Sequence, residues 1–141
     1  MRDEGLKVFT VDEANSMIPK LTGRLKELRS QREKIFSAER KKAVEELSWL
    51  REDGTVSPKA EAEVSRLDKL IEEWLKIFEA DLEAFNGLGV ELKDLNEGLV
   101  DFFAARGETL VYLCWKEGED SVRFWHDIET GFAGRKSLEQ F

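Results

Sequence analysis

Residues 99–135 read LVDFFAARGETLVYLCWKEGEDSVRFWHDIETGFAGR, and this stretch decides the fold of the chain. Apolar and polar side chains alternate along residues 99–103, 110–116 and 122–127, and a period of two predicts β-strands. Two segments separate these three runs, Ala-Arg-Gly-Glu and Glu-Gly-Glu-Asp. Both have the composition of four-residue hairpin loops. A shorter alternating run precedes these three runs. Together the runs predict a three- to four-stranded antiparallel β-meander.

Two long helices are predicted before the meander. From residue 11 onward, apolar side chains recur at spacings of three, four or seven, and Thr10 and Glu13 have the spacing of a capping box. Ser57 and Pro58 suit the start of a second helix, and Asn86-Gly87 suits its end. The sequence therefore predicts one α+β domain, in which a long antiparallel helical hairpin precedes a meander packed on the N-terminal part of the first helix. The predicted boundaries are 11–52 for helix 1, 57–86 for helix 2, 89–127 for the meander and 128–141 for the tail.

Composition narrows the classes of function. The net charge of −8 disfavours nucleic acid as a partner, because contacts to phosphates normally supply most of that affinity. The single cysteine cannot form an internal disulfide, and no cationic and apolar leader precedes Val8, so we expect a cytoplasmic protein. We expect no membrane association, because no apolar run approaches the roughly 20 residues that span a bilayer.

The predicted hairpin carries more apolar surface than two helices can bury against each other. Apolar seams run along both helices, and Trp49 and Trp74 share the helical spacing of their neighbours, which places them in a core or an interface. The sequence therefore predicts self-association through the hairpin, as a homodimer with a coiled-coil-like bundle of four helices.

Counting across four-residue loops predicts the register of the meander. In this register Asp101 opposes Tyr112, Tyr112 opposes Trp125, and Cys114 and His126 point to opposite faces. The first predicted face, which would cover the helices, holds Val100, Phe102, Val111, Leu113, Trp115, Val122, Phe124 and His126. The second predicted face holds Leu99, Asp101, Phe103, Tyr112, Cys114, Lys116, Arg123, Trp125 and Asp127.

The second predicted face mixes aromatic and charged side chains, which is typical of a binding surface. The alternatives are cross-strand stabilisation between aromatic rings, or cover by the tail. The candidate ligand-binding residues on this face and near it are Asp101, Tyr112, Arg123, Trp125, His126, Asp127 and Arg135.

Three more specific chemistries compete with structural roles. A Cys114–His126 nucleophilic pair is disfavoured by the predicted register, which separates the two side chains. A metal site would depend on carboxylates, from Asp101, Glu119, Asp127 or Glu129 beside His126, so neither a metal nor another cofactor is expected. His126 alone could instead bond to a backbone carbonyl or to a helix carboxylate such as Glu13.

The glycine-rich segment 131–136 is a candidate anion-binding loop. Its two glycines allow backbone N–H groups to approach a ligand, and Arg135 can bind a carboxylate or phosphate in a bidentate manner. The alternative is a glycine-hinged return of the tail in which Arg135 pairs with a carboxylate of the chain, such as Asp101 or Glu129.

Short motifs along the chain resemble a known family. They are FTVDEAN at 9–15, GLVDF at 98–102, V-LCW at 111–115, and WH followed by GFAGR at 125–135. In this order they are similar to the small prokaryotic domain-of-unknown-function family 2203. The resemblance covers essentially the whole chain. It implies no established activity, so no catalytic role passes to any position here.

Two functional hypotheses remain from the sequence, and neither assigns an enzymatic activity. The first is a non-enzymatic binding or scaffold module that presents the aromatic and charged sheet face to a protein partner. The second is a protein or enzyme that binds a small anionic molecule around His126 and Arg135. The second hypothesis requires these two side chains to converge in a concave pocket. The first requires both to be satisfied by internal partners beside a flat exposed patch.

Overall fold

The computed structural model describes residues 5–141, apart from the side chain of Gln140. The α+β fold predicted from the sequence is confirmed, with two long helices followed by an antiparallel sheet of five strands in the order β1-β2-β3-β4-β5. The elements are α1 (Val11–Leu47), α2 (Pro58–Asn86), β1 (Val90–Asp94), β2 (Leu99–Arg106), β3 (Thr109–Lys116), β4 (Phe124–Asp127) and β5 (Lys136–Ser137). The sheet has one strand more than predicted, because part of the tail pairs with β4.

The helix starts follow the predicted capping chemistry. The backbone N–H of Thr10 donates to Glu13 Oε1 at 2.8 Å, and the backbone N–H of Glu13 donates to Thr10 Oγ1 at 3.1 Å, as in a capping box. Helix α1 ends at Leu47, earlier than the predicted residue 52. The residues after it form a turn in which Asp53 Oδ1 accepts a hydrogen bond from the backbone N–H of Thr55 at 3.0 Å.

Residues 27–82 form one compact unit, which is the body of the helical hairpin. Its core consists of Ile35, Ala38, Leu67 and Ile71, with Trp74 and Phe78 packed against them. Gln31 Nε2 donates to Asp81 Oδ2 at 2.7 Å and so joins the two helices at one end of this core. Within residues 5–141, neither helix combines the length and the apolar character needed to cross a membrane.

The second compact unit combines the start of α1, up to Lys26, with the chain from Glu83 onward. The N-terminal segment joins the sheet through Phe9, whose N–H donates to the carbonyl of Phe103 at 2.7 Å and whose ring meets Phe102 edge-on at 5.2 Å. Asn15 Oδ1 accepts a hydrogen bond from the backbone N–H of Val122 at 2.7 Å. The sheet therefore packs on the N-terminal part of α1, as predicted.

The strand register differs from the prediction at both hairpins. Arg106 opposes Thr109, so the β2–β3 loop has two residues and begins at Gly107, whose φ of 62° is the left-handed conformation that such loops require of glycine. Asp101 therefore opposes Cys114 rather than Tyr112. A shift of two residues leaves the side chains on their predicted faces.

The shift between β3 and β4 has the opposite effect. Tyr112 opposes His126 rather than Trp125, and a slip of one residue turns β4 over. The prediction that Cys114 and His126 lie on opposite faces is therefore wrong, as is the placement of Trp125 beside Tyr112. We call the face that carries Asp101, Tyr112, Cys114 and His126 the cavity face, and the face that carries Phe102, Leu113, Trp115 and Trp125 the core face.

Candidate functional site

Three buried side chains with different donor atoms meet on the cavity face. Asp101 comes from β2, Cys114 from β3 and His126 from β4, so three adjacent strands each contribute one residue. One ligand atom of each, a carboxylate oxygen, the thiol sulfur and an imidazole nitrogen, lies within 4.8 Å of the other two. All three side chains are almost fully buried, with exposed fractions of 2–3%.

His126 has a hydrogen-bonding partner at each ring nitrogen. Nδ1 lies 2.8 Å from the backbone carbonyl oxygen of Asp127, and Nε2 lies 3.0 Å from Asp101 Oδ2. A carbonyl oxygen can only accept, so Nδ1 carries a proton and Nε2 points at the carboxylate. Nε2 and the Asp101 carboxyl group form a hydrogen-bonded pair, which is an ion pair when the imidazole is protonated.

Burial controls the ionisation of the other two groups. Removal from water raises the pKa of Asp101, and the nearby charge of His126 only partly opposes this effect. Burial, followed by the charge of Asp101, raises the pKa of the Cys114 thiol to about 11. At neutral pH the free thiol is therefore protonated and a poor nucleophile, which argues against a Cys114–His126 catalytic pair even though the two residues are neighbours.

A cavity of about 170 Å³ opens above the three side chains. We call it the sheet cavity. Its walls combine the polar groups of the sheet with residues of the tail, so the tail covers part of the cavity face. The lining residues are Lys93, Leu99, Asp101, Tyr112, Cys114, His126, Ile128, Thr130, Gly131 and Phe132.

The rim of the sheet cavity on the β1 side is polar and hydrogen-bonded. Tyr112 donates its hydroxyl proton to Glu91 Oε2 at 2.8 Å, and Lys93 Nζ pairs with Glu91 Oε1 at 2.7 Å. Partial burial acts to raise the pKa of Glu91, but the bonds from Lys93 and Tyr112 outweigh it and lower the pKa. The Lys93 ammonium also lies 4.9 Å from the centre of the Tyr112 ring.

Arg135 is held by the chain itself. Its guanidinium donates to both carboxylate oxygens of Glu119, at 2.9 and 2.7 Å, and to the carbonyl oxygen of Cys114 at 3.2 Å. It also stacks on the rings of Phe124 and Phe132, at 4.1 and 4.5 Å from their centres. Pairing of Arg135 with a carboxylate was predicted, but the partner is Glu119 rather than Asp101 or Glu129.

The seven predicted site residues separate into two groups. Asp101, Tyr112 and His126 line the sheet cavity together, whereas the other four do not line it. Arg123 is exposed and lies before β4, and Trp125 is buried on the core face. Asp127 pairs with Lys136 at 3.2 Å, outside the cavity.

Cys114 and Lys93 are two members of the site that were not among the predicted site residues. Cys114 was set aside because the predicted register turned it away from His126. A predicted loop between β3 and β4 longer by one residue would have placed the two side chains on the same face. Lys93 lies in β1, a strand whose alternation was recognised but whose pairing with β2 was not worked out from the sequence. In both cases the missing information was strand pairing, which local patterns specify weakly.

The donor set at the floor of the sheet cavity is suited to a metal ion. Within the described residues 5–141, Asp101, Cys114 and His126 are the group of metal-ligating side chains close enough to share an ion. They offer one oxygen, one sulfur and one nitrogen, a mixture typical of sites for zinc and similar transition metals.

Comparison with known proteins identifies a family but not an activity. The family model described as "Uncharacterized conserved protein (DUF2203)" matches residues 7–138. No curated protein matches the chain, and no solved structure matches it.

Proposed function

This chain belongs to the uncharacterised conserved family DUF2203, and from the geometry of the sheet cavity we propose that it binds a small anionic molecule about the size of one ring. The observation that carries the proposal is the cavity of about 170 Å³ above three buried polar side chains. Apolar cavities of about 150 Å³ hold one benzene molecule, so a ligand with a single ring would fill this one.

The walls of the sheet cavity provide both parts of such a recognition site. Leu99, Ile128 and Phe132 supply apolar contact, while His126 and Asp101 supply directional polar groups at the floor. Ligand sites in proteins usually combine a mostly apolar lining with a few convergent polar groups in this manner.

Cationic side chains favour an acidic group on the ligand. Lys93 lines the cavity, and its ammonium group has three donors, of which the ion pair with Glu91 occupies one. Lys116 approaches the same region, because its ammonium lies 5.7 Å from the centre of the Phe132 ring. The Asp101 carboxyl group is already hydrogen-bonded to His126, at 3.0 Å.

A flat scaffold surface is less well supported by the same residues. Asp101, Tyr112 and Trp125 have exposed fractions of 3%, 7% and 4%, so they offer little area to a protein partner. His126 and Arg135 each have internal partners, but His126 also lines a concave cavity. Arg135 does not line that cavity, so the predicted convergence of His126 with Arg135 is wrong. The buried aromatic face and the concave cavity nevertheless support a small molecule better than a flat protein surface.

We expect benzoate to bind the chelator-treated protein in a saturable manner, and benzyl alcohol to bind more weakly because it lacks the charge that Lys93 recognises. The measurement is a titration of ¹⁵N-labelled protein followed by NMR, in which the amide signals of Thr130 and Gly131 should shift. If benzoate produces no saturable shift of these signals, the proposal is wrong.

A matched pair of variants locates the site. Phe132→Ala removes one apolar wall and should weaken benzoate binding by about ten-fold, the usual value of one aromatic contact. Phe36→Ala removes a ring of similar exposure, 46% against 43%, from the helical hairpin and should leave the affinity unchanged. Equal effects of the two variants would contradict binding in the sheet cavity.

We also propose that the hairpin mediates self-association. Near its tip, Val44, Leu47 and Leu50 have exposed fractions of 64%, 86% and 67%. Single exposed apolar residues are common on monomers, whereas a group of them often marks an interaction site. A groove of about 330 Å³ beside them is lined by charges of both signs, including Arg40, Glu45, Glu63 and Arg66. A surface with both signs can pair with a second copy of itself in a two-fold arrangement, so the occupant we propose is another copy of this chain.

We expect the protein to sediment with the mass of two chains, and Leu47→Asp to sediment as one chain of 16.3 kDa, because it introduces charge into the apolar contact. Leu110→Asp, which changes an exposed leucine of β3, is the control and should leave the mass unchanged. A wild-type protein with the mass of one chain at high concentration would refute self-association.

A further inference from the structure

We propose that Asp101, Cys114 and His126 bind one divalent transition-metal ion of the zinc type, with a remaining coordination position that faces the sheet cavity. This inference deepens the proposed function, because it assigns a metal ion to the floor of the same cavity. Sites with three protein ligands and one open position are typical of zinc ions that contact a ligand or substrate.

The distances between the donor atoms suit such an ion. In a tetrahedral zinc site with nitrogen, oxygen and sulfur ligands, the donor atoms lie about 3.3–3.8 Å from one another, as follows from bond lengths near 2.0–2.3 Å. Here the three atoms lie within 4.8 Å of one another, and His126 Nε2 and Asp101 Oδ2 are 3.0 Å apart. Side-chain adjustments of about an ångström would therefore form the site.

The surroundings already fix the direction of the imidazole. The backbone carbonyl of Asp127 accepts from His126 Nδ1 at 2.8 Å, which leaves Nε2 directed toward Asp101. Metal-ligating histidines usually have this second hydrogen bond, because it sets the tautomer and the orientation of the ring. The backbone of Cys114 is held in a similar way, since its carbonyl accepts from Arg135 at 3.2 Å.

The chemistry of the three donors selects the class of metal. A thiolate and an imidazole favour zinc and related transition metals, whereas calcium and magnesium prefer sites made of oxygen ligands alone. On binding, the ion takes the place of any proton held by His126 Nε2 or by Asp101, and the Cys114 thiol becomes a thiolate. The displaced protons pass to solvent.

The open position connects the ion with the proposed ligand. The three donor residues all line the sheet cavity, which is also lined by Ile128, Thr130 and Phe132 of the tail. An acidic group of a ligand in the cavity can therefore reach the ion directly, and we expect the metal to strengthen benzoate binding.

Cobalt(II) is the probe of choice, because it reports the type of ligand that it binds. We expect the chelator-treated protein to bind one cobalt ion per chain and to develop a thiolate-to-cobalt charge-transfer absorption band. Equilibrium dialysis with elemental analysis provides the stoichiometry for cobalt and for zinc. A wild-type protein that binds neither ion, or that binds cobalt without the charge-transfer band, would overturn the assignment.

Single substitutions test the three ligands. Asp101→Asn should weaken cobalt binding by at least about a hundred-fold, the upper value for loss of a group that only orients a metal ligand, and Cys114→Ser should abolish the charge-transfer band. Asp120→Asn changes an exposed carboxylate outside the cluster and should leave affinity and spectrum unchanged. Unchanged cobalt binding in Asp101→Asn would contradict the site. If a variant fails to fold, the spectrum and stoichiometry of the wild-type protein still show whether the metal site exists.

The two proposals on the sheet cavity fail in different ways. Benzoate binding to the chelator-treated protein without any metal uptake would refute the metal site and leave the proposed function intact. Metal uptake with the expected spectrum, but without benzoate binding in either form, would refute the proposed ligand class and leave the metal site intact.

Discussion

His126→Ala is expected to lower the free energy of unfolding of the metal-free protein by about 3 kcal/mol, because it leaves the buried Asp101 carboxyl group without its hydrogen-bonding partner. His126 and Asp101 have exposed fractions of 2% and 3%, so Asp101 would remain buried without its partner at 3.0 Å. The measurement is urea unfolding followed by circular dichroism in the presence of a chelator, so that metal binding does not contribute.

A double-mutant cycle distinguishes this mechanism from a simple loss of packing. Asp101→Ala should also be strongly destabilising, but the double variant should lose clearly less than the sum of the two single losses. Asp68→Ala, which removes an exposed partner of Lys42, is the control and should have a much smaller effect. Additive losses at Asp101 and His126 would show that the two groups do not stabilise each other.

Trp115→Ala is expected to destabilise the sheet by about 3–5 kcal/mol, as is common for large aromatic residues in a core. The side chain is 1% exposed on the core face, and its indole N–H donates to the carbonyl oxygen of Glu119 at 2.9 Å. The loss should appear as a lower midpoint of urea unfolding with an unchanged slope, because the surface exposed on unfolding stays similar.

Two further variants separate packing from hydrogen bonding at this position. Trp115→Phe keeps an aromatic ring but removes the bond to Glu119, so its loss should be smaller than that of Trp115→Ala. Trp49→Ala, which changes a half-buried tryptophan after α1, should also cost less. If Trp115→Phe and Trp115→Ala were equally destabilising, the contact of the indole N–H would be the main contribution, and the core-packing explanation would be wrong.

The helices of this protein could be predicted well because their signals are local. The capping box of Thr10 and Glu13 lies within one turn, and the end of α2 at Asn86 follows from the glycine after it. The end of α1 was less accurate, because the predicted residues up to 52 enter the hairpin turn, where Leu50 bridges to Val56. That bridge joins two segments across the turn and has no signature in helical periodicity.

The sheet was predicted in type and chain order but not in register. The two-residue loop at Gly107 and the longer connection over residues 117–123 both differ from the four-residue loops that the composition suggested. The second connection is anchored by a hydrogen bond from Val122 to Asn15, a residue of α1 that is distant in the sequence. No local pattern contains such a contact, and the count of residues in this connection decides which face β4 presents.

The candidate site shows the same division. Asp101, Tyr112 and His126 were recognised because unusual polar and aromatic residues stand out among the strands, and all three line the sheet cavity. Cys114 was recognised as a candidate and then rejected, because the incorrect register separated it from His126. The residue types of a site can therefore be identified from sequence more readily than their proximity.

The connection between β3 and β4 places a constraint on how this family can diverge. Surface loops usually tolerate gains and losses of single residues during evolution, because their length costs little stability. Here a change of one residue between Lys116 and Phe124 would exchange His126 with a neighbour on β4 and leave Asp101 and Cys114 without their imidazole. Relatives that retain the three-residue cluster should therefore vary in the sequence of this loop, but its length should differ only by an even number of residues.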